Sequence, residues 1–476
     1  LRKIFTNSVL IALLLGAAWG LPFVFEFYNV IVSDDNIRHC EPEGRSNPQT
    51  IAHSMGVLRY AQDDVTIDFW QYWSGSEREP LEELVHRFNS ENHGFKVKML
   101  SISMPRKKIL MAVTAGVPPD LVHLDGDMVT DFALRNALTE IRVENPDRFI
   151  PVYLRMLNIH GRQWALPLMP TCEAMHLNKG LLDRYGIGVP QTLEDLVAAF
   201  DKVSPSSSDI AWLPSWPPWA GRFLPIVFGG SWGSESRITA NSPENIRAWT
   251  WVQENFARKI PRDKLAAFTE GFKAYQSPDN PFYAGRIGIE NNGVWERNLA
   301  GKFAPKMQVV VAPFPAAVKH RHCEPEGQSN DTHGDRHAAS PLAMTSATVR
   351  NDSYTVVSVD ALAIPRGAKH PELALKFTEW LLEPEQVEYL AHAQAKFTPL
   401  RKVSPDFISR HRNPYIGTFI ELANSANASY FPQLPCVQRY RREIGDAYNR
   451  VLRMELTARE ALDKLQTEME AICFSN

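Results

Sequence analysis

From Val65 onward, short apolar runs rich in β-branched and aromatic residues alternate with amphipathic stretches, and this alternation limits the chain to a layered α/β fold. VTIDFWQYW reads as a strand, SGSEREP as a polar turn, and LEELVHRFNSEN as a helix that places Leu81, Leu84, Val85 and Phe88 on one face. FKVKMLSI is the next strand. In KKILMAVTAGVPPDLVHLDGDMVTDFALRNALTEI a helix, a Gly-Pro break, a short strand, a loop and a further helix follow one another. At 476 residues, 44% hydrophobic and 22% charged, the chain is long enough for more than one core and too apolar to be disordered. A formal net charge of -3 gives no basic footprint for nucleic acid.

The N-terminal 30 residues read as an export segment. Arg2 and Lys3 precede a charge-free run from Ile4 to Phe25, which is either cleaved near Ala18-Trp19-Gly20 or retained as a membrane anchor. A periplasmic or other extracytoplasmic location is expected. No cysteine follows the run in a lipid-attachment position. The cysteines Cys40, Cys172, Cys323, Cys436 and Cys473 are odd in number and widely spaced, so a disulfide framework is not expected.

Several ordered motifs then carry a family resemblance. FWQYWSG, KILMAVTAGVPPDLVHLD, FALRNALTEI, GRQWALPLMPTCEAMHLNKGLLDRYGI, PQTLEDLVAAF, AGRIGIENNGVWERN and DALAIPRGAKHPELALKFTEWLLEPE resemble, in order, segments of the family 1 extracellular solute-binding proteins. YFPQLPCVQRYRREIGDAYNRVLRMELTAREALDKLQTEM is similar to the C-terminal stretch of the maltose-binding type within that family. The resemblance implies a two-lobed, hinged periplasmic-binding-protein fold with an interlobe cleft. One lobe would comprise 65–177 and 358–394, the other 178–317 and 395–476. It also implies capture of a carbohydrate without catalysis, cofactor or metal, and delivery to the transmembrane subunits of an ABC permease by a monomer. Binding of glycerol phosphate or a polyol, for which Arg222, Arg297 or Arg366 would matter, is the alternative ligand class. A ligand-binding sensor on the cell surface is the alternative role.

RHCEPEGRSN (Arg38 to Asn47) recurs as RHCEPEGQSN (Arg321 to Asn330), once ahead of the first strand and once between two strands that family members connect briefly. Two copies at seams do not make a repeat architecture. Both surrounding segments, 36–64 and 318–352, read as insertions lacking apolar periodicity, of a kind that surface connections tolerate. His39, Cys40, His322 and Cys323 could supply a zinc tetrahedron, but adjacent His and Cys chelate one ion awkwardly.

Sugars offer C–H faces that stack on aromatic rings and hydroxyls that need carboxylates, amides or guanidinium groups. In WLPSWPPWAGRFLPIVFGGSWG the prolines hold Trp216 and Trp219 on an irregular loop, ahead of a short helix or strand. By position in the family's motifs, Trp216, Trp219 and Trp295 are expected as stacking platforms of the second lobe, with Tyr430 and Phe431 beside them. Tyr72, Trp73, Asp125, Asp127, Thr171 and Glu173 are expected as the first lobe's contacts. Trp249, Trp251 and Trp380 fall at apolar helical positions and are expected in the core. Ser358, Val359 and Asp360 replace the family's Gly-Gly, with Asp360 projecting into the cleft or capping a loop. Gly229-Gly230-Ser231-Trp232-Gly233 fits the nucleophile elbow of serine hydrolases, with PIVF as its strand, but the polar SESRITANSPEN that follows is not the required helix.

Overall fold

The computed structural model describes residues 65–91, 93–203, 208–261, 275–317 and 353–474. The N-terminal apolar run and both copies of the repeated decapeptide, with His39, Cys40, His322 and Cys323, lie outside the described residues.

Among the described residues nine strands form one sheet: β1 (Val65–Gln71), β2 (Phe95–Ser101), β3 (Leu121–Asp125), β4 (Leu166–Asn178), β5 (Ile210–Trp212), β6 (Ile287–Gly293), β7 (Val309–Ala312), β8 (Thr355–Ala363) and β9 (Ala428–Ser429). Their order is β2-β1-β3-β8-β4-β6-β5, with β7 also paired to β4 and β9 to β8. The first three strands are parallel, whereas β8 runs antiparallel to β3 and β4.

The long strand β4 joins two halves. Through Cys172 it pairs with β8, and from Glu173 onward with β6 and β7. Its sequence, LPLMPTCEAMHLN, is almost wholly buried, as a strand covered on both faces must be. Pro167 and Pro170 lack the N–H that a ladder needs, and the register with β8 shifts between them, at Asp360/Ala361.

Two large apolar clusters correspond to two lobes. One contains Ile67, Phe69, Leu81, Phe88, Leu124 and Phe377. The other contains Leu181, Phe200, Trp212, Trp249, Ile289 and Tyr440. The helix Arg78–Ser90 shows how the sequence arranges this: Leu81, Leu84, Val85 and Phe88 are buried, at the spacing of one helical face. Each such side chain contributes about 1.5–3 kcal/mol on burial. The segment 395–423, expected in the second lobe, belongs by packing to the first, because Phe397, Leu400, Phe407, Ile416, Phe419 and Leu422 join the first cluster. The chain's last passage to the second lobe therefore falls between Ala423 and Phe431.

Trp249 is fully buried, and Trp251 and Trp380 pack partly buried against the two clusters. Cys436 and Cys473 form a disulfide with Cα atoms 5.2 Å apart, which corrects the expectation from cysteine spacing. The helices Val437–Leu452 and Ala458–Phe474 pack side by side, so residues 37 apart in sequence meet where one begins and the other ends. Cys172 is buried and unpaired. Among the described residues no helix is long and apolar enough to cross a membrane.

Candidate functional site

Where β4 changes partners, a cavity of about 260 Å³ opens beside Glu173. Its wall takes Glu173 from β4, Val356, Val357 and Ser358 from β8, and Ser429, Tyr430 and Phe431 from the last passage between lobes. The second lobe supplies Trp219, Arg222, Phe223 and Ile226 around the helix Ala220–Val227, together with Trp232, Trp295 and Arg441.

Trp219 and Trp295 stand with ring centroids 6.3 Å apart and planes at 60°. Tyr275 holds both: its ring lies 4.8 Å from that of Trp219, and its hydroxyl accepts from Trp295 Nε1 at 3.2 Å. That hydroxyl donates to Glu296 Oε2 at 2.9 Å, while Asn292 Nδ2 donates to both Glu290 and Glu296. Burial pushes the Glu290 carboxyl up to about 7, and burial plus the charge of Glu290 raise Glu296 well above the usual carboxyl range. The aromatic pair thus stands on a buried, hydrogen-bonded polar floor, which fixes ring positions more tightly than apolar packing alone. Gly293 permits the arrangement, since a Cβ there would lie 2.0 Å from the Trp295 ring.

Three ionisable groups line the cavity. Burial raises the Glu173 carboxyl to about 8, against the opposing charges of Arg222 and Arg441, and its Oε2 accepts from Asn291 Nδ2 at 2.5 Å. Arg222 is lowered to about 10 by burial and by the like charge of Arg441, and so stays cationic at neutral pH. Arg441 forms an ion pair with Asp127 and lies 4.7 Å over the Phe431 ring.

Of the residues expected to contact ligand, Glu173, Trp219, Trp295, Tyr430 and Phe431 line this cavity. The others do not. Tyr72 donates to Asp360 Oδ1 at 2.7 Å and stacks on His123 at 4.3 Å. Trp73 is buried, with Lys396 Nζ 5.3 Å above its ring. Asp125 caps the helix Gly126–Leu134 by accepting from Met128 N at 2.8 Å, and burial beside Asp127 lifts its carboxyl to about 6. Asp127 is not in the cavity wall and forms an ion pair with Arg441, which is. Thr171 is buried, its hydroxyl 2.6 Å from that of Ser358. Trp216 donates to Glu290 Oε2 at 3.0 Å beneath the floor. Asp360 neither faces the cavity nor caps a loop. Burial opposes its charge, but His123, Lys396 and Tyr72 hold the carboxyl at about 2.

Arg441 was not anticipated, although Val437, Tyr440, Arg441 and Ile444 share one helical face and three of them are buried. Arg297 lies instead in a separate hollow with Ser76, Asn298 and Arg412. At the Gly-x-Ser-x-Gly stretch, PIVF belongs to or directly follows the helix Ala220–Val227 and is not a strand. Ser231 Oγ lies 3.1 Å from the Thr239 hydroxyl, and no histidine bonds to it among the described residues.

Residues 74–388 match the family model described as bacterial extracellular solute-binding protein. The chain belongs to that family. A curated relative of this solute-binding protein, an uncharacterized ABC transporter extracellular-binding protein from Pyrococcus horikoshii, is 20% identical over 364 residues, 72% of this chain and 75% of the relative. Among solved structures it is similar to CpMnBP1 with mannobiose bound, with a TM-score of 0.66 and 19% identity, covering 85% of this chain and 99% of that one. A cyclo/maltodextrin-binding protein complexed with maltotetraose gives a TM-score of 0.64 and 18% identity, covering 85% and 97%. The two-lobed α/β fold of this chain is theirs.

Proposed function

We propose that this protein captures a carbohydrate in the cavity beside Glu173 and delivers it to the membrane subunits of an ABC importer. One observation carries the reading: two indole rings, Trp219 and Trp295, share a single cavity with a carboxyl and two guanidinium groups. Rings receive the C–H faces of a sugar, and the polar groups receive its hydroxyls. The mannobiose and maltotetraose bound in the similar structures support this choice of ligand class, and the likeness to an ABC transporter extracellular-binding protein supports the transporter assignment.

The site sits against the strands that pass between lobes, so ligand contacts couple to lobe closure. A ligand selects whichever lobe arrangement gives it more contacts. A permease then reads the closed form. The protein's own task is reversible binding, with Glu173 and the arginines orienting the ligand rather than breaking a bond. The disulfide between Cys436 and Cys473 supports an extracytoplasmic location, where such bonds persist. Thermal-shift screening of the full chain against neutral and charged mono- and oligosaccharides tests the reading, since a bound ligand raises the melting temperature with its concentration. Stabilisation by a saccharide supports it. Release of sugar or of reducing ends from any of these compounds would replace it with an enzymatic role.

A further inference from the structure

We infer that the saccharide bound in this cavity carries an anionic substituent, a carboxylate or a phosphoryl group, held by Arg222 and Arg441. This rests on the carbohydrate reading above and narrows it.

The cavity's charges do not cancel. Arg441 is matched by Asp127, which reaches it from the first lobe, and Gln438 Nε2 donates to the same carboxylate oxygen at 3.3 Å. Glu173 does not match Arg222. No hydrogen bond or ion pair joins the two; the Glu173 carboxyl instead accepts from Asn291, and burial raises it to about 8. Among the described residues no acceptor hydrogen-bonds or ion-pairs with the Arg222 guanidinium, although Arg222 lines the cavity. With Asp127 set against Arg441, the Arg222 guanidinium is left without a hydrogen-bonded counter-charge in a half-open, aromatic surrounding.

A partly buried guanidinium gives up some of its hydration, and an acceptor that meets it recovers the loss. Neutral hydroxyls can accept its hydrogen bonds but leave its charge in place. A carboxylate or phosphoryl group supplies both, and matches the planar fork of an arginine with paired oxygens. Arg441, in the same cavity wall, offers a second cation to the same group. Trp219, Trp295 and Phe431 leave the rest of the cavity suited to an apolar sugar face.

The test is calorimetric titration of the full chain with matched pairs: galactose against galacturonate, glucose against glucose 6-phosphate, and a neutral trisaccharide against trigalacturonate. Inorganic phosphate and Arg222→Gln serve as controls. The expected result is that an anionic member binds at least tenfold more tightly than its neutral counterpart. The preference should weaken as sodium chloride is raised, disappear in Arg222→Gln, and survive in part in Arg222→Lys. A neutral member binding as tightly as its charged counterpart, or a preference unchanged in Arg222→Gln, overturns this inference and leaves the carbohydrate reading standing. Inorganic phosphate binding as tightly as glucose 6-phosphate overturns the saccharide element. No binding by any sugar, neutral or charged, overturns both.

Discussion

Arg441, in the wall of the cavity, forms an ion pair with Asp127 at the start of the helix Gly126–Leu134, so a site residue of one lobe is tethered to the other. Both side chains are largely shielded, at 26% and 11% exposure, so the pair is worth more than a surface contact. Asp127→Asn should lower stability by about 1–3 kcal/mol. It should also shift the ligand-free protein toward a more open shape, seen as a larger radius of gyration in small-angle scattering.

The Trp295 ring occupies the space where a side chain on Gly293 would begin, within 2.0 to 2.3 Å of a Cβ. Gly293→Ala therefore forces the ring off its platform. Overpacking of this kind costs about 1–3 kcal/mol. The expected outcome is a folded protein with a modestly lower melting temperature and ligand affinity reduced at least tenfold, measured by calorimetry.

Stability should be greatest in mild acid. Burial lifts Glu173 to about 8 and Glu290 to about 7, with Glu296 also raised, so each holds its proton more tightly folded than in the unfolded chain. Their contribution is complete below the unfolded carboxyl value of about 4.3 and is lost as pH rises through those folded values. Asp360 at about 2 and His176, lowered to about 3 by burial, act in the opposite sense. Their contribution is present above the unfolded values of about 3.9 and 6.5 and fades as pH falls. Melting temperature measured across pH should fall between roughly pH 5.5 and 8.5. Glu173→Gln should make that fall shallower.

Reduction of the bond between Cys436 and Cys473 should destabilise the second lobe. With the two cysteines 37 positions apart in sequence, loop closure entropy predicts a loss of about 4 kcal/mol. Calorimetry with and without a reductant should show a lower melting temperature when reduced, with Cys436→Ser/Cys473→Ser matching the reduced protein.

The sequence made the strands and the α/β layering legible because continuous apolar runs and helical faces such as Leu81, Leu84, Val85 and Phe88 are local patterns. It did not reveal which core an amphipathic segment joins. Phe397 and Phe419 have the periodicity either lobe would accept, and only their packing assigns them to the first. The same limit applies to aromatic residues. Trp73 and Trp219 sit on similar irregular stretches, yet Lys396 covers one while the other faces the cavity. Asp360 looked free beside the cleft because its partners, Tyr72, His123 and Lys396, come from remote parts of the chain. Spacing in the cysteines was equally uninformative, since Cys436 and Cys473 meet through the packing of two helices.

The most direct measurement is calorimetric titration of the full chain with saccharides, including mannobiose, maltotetraose and trigalacturonate, repeated with Trp295→Ala. The account predicts saturable one-site binding of a saccharide, weakened in Trp295→Ala by about 2 kcal/mol or more, roughly thirtyfold. Heats indistinguishable from dilution for every sugar, or an affinity left intact when Trp295 is removed, would contradict it.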